Sequence, residues 1–148
     1  MTEEKLERKI IRILNRNARK SFREVAKEIG TSVNSVINHV KKLEAAKIIK
    51  GYIPDVDQDY FGFHLIAIIA LRISQGKLLE TQKTIAEDPR ARAIYDITGE
   101  WDSMILGYFK DREDLNDFIK NLLSQKNIDR SVTHIVLNIV KEERTIPI

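Results

Sequence analysis

Apolar residues recur at helical spacing through the first third of the chain and in strand-like runs through the rest. Over residues 3–16, EEKLERKIIRILNR, the apolar positions Leu6, Ile10, Ile13 and Leu14 fall on one side of a helix, with Thr2 as its expected N-cap and glutamates in its first turn. Ser21-Phe22-Arg23-Glu24 follows as a capping box, in which the serine hydroxyl and the glutamate carboxylate each satisfy a backbone donor of the other. It opens a short helix expected to bury Val25, Ala26 and Ile29 and to end at Gly30, a residue free to turn left-handed. Thr31 or Ser32 then caps a third helix whose stripe is Val33, Val36, Ile37, Val40 and Leu43, and whose other side carries Asn34, Ser35, Asn38, His39, Lys41 and Lys42. Residues 47–53, KIIKGYI, read as a strand, a wing beside the helices.

The period then changes. Residues 53–63 hold a proline, three aspartates and a glycine and read as a hinge. Leu65 to Ile73 is almost unbroken in apolar residues, as a central buried strand requires, and Gly76 stops it. A helix is predicted over residues 77–87, with Leu78, Leu79, Gln82, Ile85 and Ala86 at helical spacing and Asp88-Pro89 as its end. Strands over residues 93–98 and 103–109 form a hairpin around Gly99-Glu100-Trp101-Asp102, and residues 111–125 form a helix with Leu115, Phe118, Ile119, Leu122 and Leu123 inward. Residues 132–140 are the expected last strand. The order βαββαβ is that of the ferredoxin-like split βαβ unit, with both helices on one face of four antiparallel strands. The other face has no helix, yet the first and last strands are apolar on both sides, which predicts that a second subunit covers it. The fold class is therefore α+β: a winged helix-turn-helix domain over residues 1–52, a hinge over 53–63, and an oligomerisation domain over 64–148.

Charge sharpens this division. Residues 1–50 carry thirteen Lys and Arg against six Asp and Glu, a balance of +7, whereas the remaining 98 carry twelve against sixteen, a balance of −4. A basic front segment joined to a mildly acidic remainder fits a polyanion-binding module attached to a domain with another task. Two helices separated by a glycine turn, the second with amide, hydroxyl and ammonium groups outward, form the arrangement that enters the major groove. Asn bonds adenine through two groups, Ser and His reach base edges, and Lys neutralises phosphate. Asn34, Ser35, Asn38 and His39 are thus candidates to read bases, with Ser32 at the helix start beside them. Lys41, Lys42, Arg19 and Arg23 are candidates to hold phosphates. A dimer would set two such helices one helical turn of DNA apart, about 34 Å, or a multiple of it.

Other chemistries lose their support. The chain has no cysteine, which removes disulfides, thiolate metal sites and cysteine nucleophiles, and its three histidines (His39, His64, His134) are isolated. There is no phosphate loop, nucleophile–base pair or metal-ligand spacing, so no enzyme and no cofactor is expected. No window approaches the roughly 18 apolar residues of a membrane span, and the charged N-terminus has no apolar signal region behind it; a cytoplasmic protein without membrane contact is expected. Abundant Ile, Lys, Arg and Glu beside few glycines points toward a thermophilic source.

The segment DITGEWDSMIL, residues 96–106, stays open on the residues alone. Its acids are a catalytic pair, a ligand pocket or the furniture of a turn, and the first of these lacks the partners that acid–base chemistry needs.

The winged helix-turn-helix, hinge and βαββαβ order resembles the Lrp/AsnC family, the leucine-responsive or feast/famine regulators of bacteria and archaea. The residues that carry the resemblance are Asn17-Ala18-Arg19, Phe22-Arg23-Glu24-Val25-Ala26, Val40-Lys41-Lys42-Leu43-Glu44 leading to Ile48-Ile49, and Phe61-Gly62-Phe63. Thr98-Gly99-Glu100-Trp101-Asp102 is similar to the family's T/S-G-x-x-D signature. The resemblance implies a transcription regulator that dimerises through its sheet domain, assembles into octamers, binds pseudo-palindromic promoter sites on double-stranded DNA and senses an amino acid. It implies an effector site at Thr98, Gly99, Glu100, Trp101 and Asp102, with residues facing them on the last strand, between the sheet domains of neighbouring dimers. His39 stands where many members have arginine, and Lys47 where many have glycine. The alternative is an effector-independent architectural DNA-binding protein of the same fold, held to DNA by phosphate contacts.

Overall fold

The computed structural model describes residues 3–74 and 76–148. Thr2 and the side chains of Glu3 and Glu4, the expected cap and first-turn acids, lie outside the described residues. The chain divides into two compact units, one running to Asp55 and joined by Lys141–Ile148, the other Val56–Val140. No helix among the described residues is long and apolar enough to cross a membrane.

The first unit contains α1 (Glu3–Arg16), α2 (Phe22–Ile29) and α3 (Val33–Ala45). Each helix delivers its apolar stripe to one core of Leu6, Ile10, Ile13, Leu14, Val25, Ala26, Val36 and Val40, with Phe22, Ile29 and Ile49 packed against it. The capping box forms as the sequence predicts: Ser21 N–H donates to Glu24 Oε2 at 2.8 Å, and Glu24 N–H donates to Ser21 Oγ at 3.3 Å. Gly30 adopts φ 77° and lets its own N–H and that of Thr31 both reach the Ala26 carbonyl. Ser32, rather than Thr31, caps α3, accepting from Ser35 N–H at 3.1 Å. The expected stripe of α3 is narrower than its apolar residues: Val36, Val40 and Leu43 are buried, Ile37 is half-buried and Val33 is exposed. At the C-terminal end of the unit, Arg12 Nε donates to the Ile148 carbonyl at 3.0 Å.

The wing strand expected over residues 47–53 is not formed. Its first residues complete α3 in a Schellman turn instead, with Lys47 N–H bonded to the Glu44 carbonyl at 3.0 Å and Ile48 N–H to the Leu43 carbonyl at 2.9 Å. Lys47 takes φ 57°, the only positive φ at a non-glycine residue among those described. A strand also needs a neighbour for its ladder, and residues 50–56 have none.

The second unit is a four-stranded antiparallel sheet in the order β2-β3-β1-β4, built from β1 (Leu65–Ile73), β2 (Ala91–Asp96), β3 (Ser103–Phe109) and β4 (Ile128–Ile135). Helices α4 (Leu78–Ala86) and α5 (Arg112–Leu123) complete the βαββαβ order. Alternation along β1 sorts its residues: Ala67, Ile69, Leu71 and Ile73 join Ile85 of α4 and Leu115, Phe118 and Leu122 of α5 in the core. Gly107 belongs to this face because the Phe109 ring lies 2.6 Å from where a Cβ would stand.

Several boundaries differ from the sequence reading. The last strand begins at Ile128, four residues before the expected start, because β1 pairs Ala67 with Ile135 and Ile73 with Ile128, while Leu137 and Val140 run on in solvent. Likewise β2 begins two residues early. Leu79 and Leu123, expected inward, are 68% and 51% exposed, and the buried positions on α4 are Thr81 and Ile85. Helical spacing alone admits both neighbours of the true stripe, and packing selects between them.

Candidate DNA interface and effector hairpin

On α3, the buried row Val36, Val40 and Leu43 fixes what the opposite side presents. Asn34, Asn38 and Lys41, at i, i+4 and i+7, fall on that opposite side and are exposed, as are Ser32, Lys42, Arg19 and Arg23. Ser32 has its hydroxyl committed to the helix cap. The α3 N-terminus carries no acidic residue in its first turn, so its partial positive charge is left uncompensated by side chains there.

Two of the nine sequence candidates sit differently. Ser35 is half-buried, and His39 lies on the flank of α3 against α1, its Nδ1 3.4 Å from Glu7 Oε1. Lys42 Nζ is 3.9 Å from the same oxygen, so Glu7 gathers both side chains. Lys20, beside the candidate Arg19, is held by Glu28.

In the second unit, the candidate hairpin spans residues 97–102 between β2 and β3. Gly99, at φ 118°, supplies a backbone conformation that other residues rarely adopt. Its base is fixed by Ser103, fully buried, which accepts from Gln82 Nε2 at 3.0 Å and donates to the Tyr95 carbonyl at 3.1 Å. Asp102 is half-buried and structural in its bonding: its Oδ2 accepts from Ile73 N–H at 2.8 Å, and its own N–H donates to the Leu71 carbonyl at 2.9 Å. Thr98, Gly99 and Glu100 are exposed, and Trp101 is half-buried.

The structure adds two residues that the sequence reading did not name: Arg72, which it did not anticipate, and Arg130, on the last strand to which it pointed. Arg72 donates to the Glu100 carbonyl, and Arg130 Nη1 lies 3.4 Å from Glu100 Oε1 with its guanidinium 5.0 Å from the centroid of the Trp101 ring. One signal was visible, since Arg72 is the single charged residue in the apolar run of β1; its juxtaposition with Arg130 depends on register and was not. Clefts of about 290 Å³ lie elsewhere, one lined by Leu14, Phe22 and Tyr52 among others, one by Phe63, His64 and Leu137. At the hairpin, Thr98, Gly99 and Glu100 stand open to solvent. Among the described residues no group of His, Asp and Glu is arranged to hold a metal.

Comparison with known proteins agrees with both halves. Residues 3–50 match the winged helix-turn-helix DNA-binding family model, and residues 66–146 match the Lrp/AsnC ligand binding domain. An HTH-type transcriptional regulator of Pyrococcus abyssi is 39% identical over 140 residues, covering 95% of each chain. The HTH-type transcriptional regulator Ptr1 of Methanocaldococcus jannaschii is 35% identical, covering 98% of this chain and 99% of its own. A solved transcriptional regulator of Neisseria meningitidis in complex with L-methionine shares the fold at a TM-score of 0.90 and 23% identity, over 97% of this chain and 95% of its own. With both halves matched in sequence and the whole chain in fold, the protein belongs to the Lrp/AsnC family of transcriptional regulators.

Proposed function

We propose that this regulator reads pseudo-palindromic promoter DNA with α3 and that an amino acid bound at the 97–102 hairpin modulates the binding. The observation that carries the first half is the row Asn34, Asn38 and Lys41, exposed opposite the buried Val36 and Val40. The two amides reach base edges, with Ser35 beside them; Lys41, Lys42, Arg19 and Arg23 take phosphates, and Ser32 aims the helix N-terminus at the backbone. His39 is a positioning residue in this reading, holding α3 to α1 through Glu7.

The sheet supports the assembly. Ile68, Met104, Leu106 and Tyr95 lie on the face away from α4 and α5, and a second copy covering that face makes the dimer; contacts between dimers make the octamer. An open hairpin gains its second wall from such a neighbour. Thr98, Gly99, Glu100 and Trp101 face the effector, and Asp102 keeps the loop in shape. The L-methionine complex of the structural neighbour makes that amino acid the first probe. The protein performs no catalysis in this reading and acts in the cytoplasm, with residues 53–63 as the hinge that leads from residues 1–52 into the sheet unit; the expected 64–148 domain is shortened, because Lys141–Ile148 join the first unit.

Selection from random duplex DNA at about 0.15 M salt tests the function, with and without each of the twenty amino acids. A two-fold symmetric motif whose recovery changes with one amino acid is the expected result. Recovery of no motif would replace regulation by architectural binding, which rests on phosphate contacts alone.

A further inference from the structure

Arg72 and Arg130 are directly opposed partners in β1 and β4, so their side chains leave the same face of the sheet from Cβ atoms about 5 Å apart. Like charges so placed repel each other, and the hairpin supplies the acceptors that offset this. Both acceptors belong to Glu100: its carbonyl takes Arg72 and its carboxylate takes Arg130. The two contacts differ in kind. The first is a close bond to the main chain, which fixes where the hairpin lies. The second is long, at 3.4 Å, and joins side chains that are 64% and 66% exposed, where water screens the attraction. Beneath it the Trp101 ring lies 5.0 Å from the Arg130 guanidinium, restricting the plane in which that fork can stand. A guanidinium has five N–H donors, and Arg130 uses one of them in a hydrogen bond among the described residues.

A weak, exposed ion pair beside a rigid ring is an opening for a molecule that carries both charges itself. We propose that an α-amino acid inserts between Arg130 and Glu100, its carboxylate received by the Arg130 fork and its ammonium by the Glu100 carboxylate. The exchange replaces one long contact by a bidentate carboxylate–guanidinium pair and an ammonium–carboxylate hydrogen bond, both charge-assisted. Arg72 is the positioning residue, because its hold on the Glu100 carbonyl keeps the acid at the site after Arg130 is taken. Asp102 is the poorer partner for the ammonium, since its Oδ2 is engaged by Ile73 N–H and the residue is half-buried, whereas Glu100 is exposed. The proposal rests on the effector reading above and assigns its polar contacts.

Calorimetric titration of the full chain tests it, starting from L-methionine and extending to all twenty amino acids. For whichever binds, the same side chain is presented as the amino-acid amide, which lacks the carboxylate, and as the des-amino acid, which lacks the ammonium. Each is expected to bind the unmodified protein about tenfold more weakly or worse. Arg130→Gln is expected to erase the penalty for the missing carboxylate, and Glu100→Gln the penalty for the missing ammonium. Equal binding of the amino acid to the unmodified protein and both variants would overturn the Arg130–Glu100 assignment while leaving an effector site elsewhere. Binding of both analogues to the unmodified protein as tightly as the amino acid itself would overturn it without recourse to any variant. A chain that binds none of the twenty would overturn the effector reading and this assignment together.

Discussion

The Asp102 carboxylate accepts the backbone N–H of Ile73 at 2.8 Å and so ties the β3 end of the β2–β3 hairpin loop to the end of the central strand, 29 residues earlier in the chain. Ile73 is 6% exposed, so the donor has no easy recourse to water when the acceptor is removed. Asp102→Ala is expected to cost about 1.5–3 kcal/mol, the range for hydrogen bonds to charged groups, and Asp102→Asn about half as much because an acceptor remains. Urea unfolding of the two variants against the unmodified chain measures this. Equal stability of all three would show that the carboxylate does not support the strand end. Any amino-acid response should also weaken in Asp102→Ala, through displacement of the loop.

Arg90 anchors the other side of the second unit. Its guanidinium reaches Asp88 at 2.7 Å and Asp114 and Asp117 at 2.9 Å, with the Phe118 ring 5.3 Å from it. The Arg90 hydrogen bond holds the Asp88 carboxyl below its ordinary range. Burial pushes Asp114 up, but Lys110 N–H and Arg90 outweigh it, so that group also ends low. Depressed folded-state values mean that the stabilisation is complete above the unfolded-state pKa of about 3.9 and disappears as pH falls through the lower folded values. Arg90→Ala should therefore cost about 2–4 kcal/mol at neutral pH. The gap between variant and unmodified chain should close as pH falls below about 4. Thermal unfolding across pH 2–7, at intervals of about one unit, reads both effects. A gap that stays constant through the acid range would remove the carboxylates from the account.

How much of this was legible depends on whether one residue or a pair carries the information. Single-residue signals held: the Ser21–Glu24 box, Gly30 and the unbroken run of β1 each state their own conformation. Pairings across the sheet did not, because register is a property of two strands. The misplacement of β4 by four residues and the unseen Arg72–Arg130 pair have that one cause. The wing strand failed for a related reason, as apolar Ile48 and Ile49 fit a helix end as well as a strand. At the hairpin, the acids were visible but their division of labour was not, since Asp102 faces Ile73 only once β1 and β3 are paired.

Lys47 pays a conformational penalty. It occupies the left-handed position of the Schellman turn after α3, at φ 57°, where a side chain costs about 1 kcal/mol relative to glycine. Lys47→Gly is expected to raise stability by up to that amount, less the entropy that glycine adds to the unfolded chain. Lys47→Val, β-branched and poorer still in this conformation, is expected to lower it. If denaturation ranked the three in any other order, the turn would not be limiting the end of α3.

The division of labour on α3 yields the last prediction. Asn38 lies opposite Val36 and Val40 and has no charge, so its contribution to binding is confined to hydrogen bonds with whatever it faces. Asn38→Ala should cost about 1–3 kcal/mol on the preferred site and little on random duplex, flattening discrimination at one base position. Lys41 is charged and exposed on the same side; Lys41→Ala should weaken all sequences alike and reduce the slope of log K against log salt by about one unit. Glu7 distinguishes positioning from contact, because it holds His39 and Lys42 from inside the unit. Glu7→Gln removes a negative charge near the interface, so non-specific affinity should rise slightly while discrimination falls as α3 loses its bond to α1. Fluorescence anisotropy with one preferred and one scrambled duplex, over a salt series, separates the three outcomes. Loss of base preference in Lys41→Ala with an unchanged salt slope would exchange the roles assigned to the amide and the ammonium.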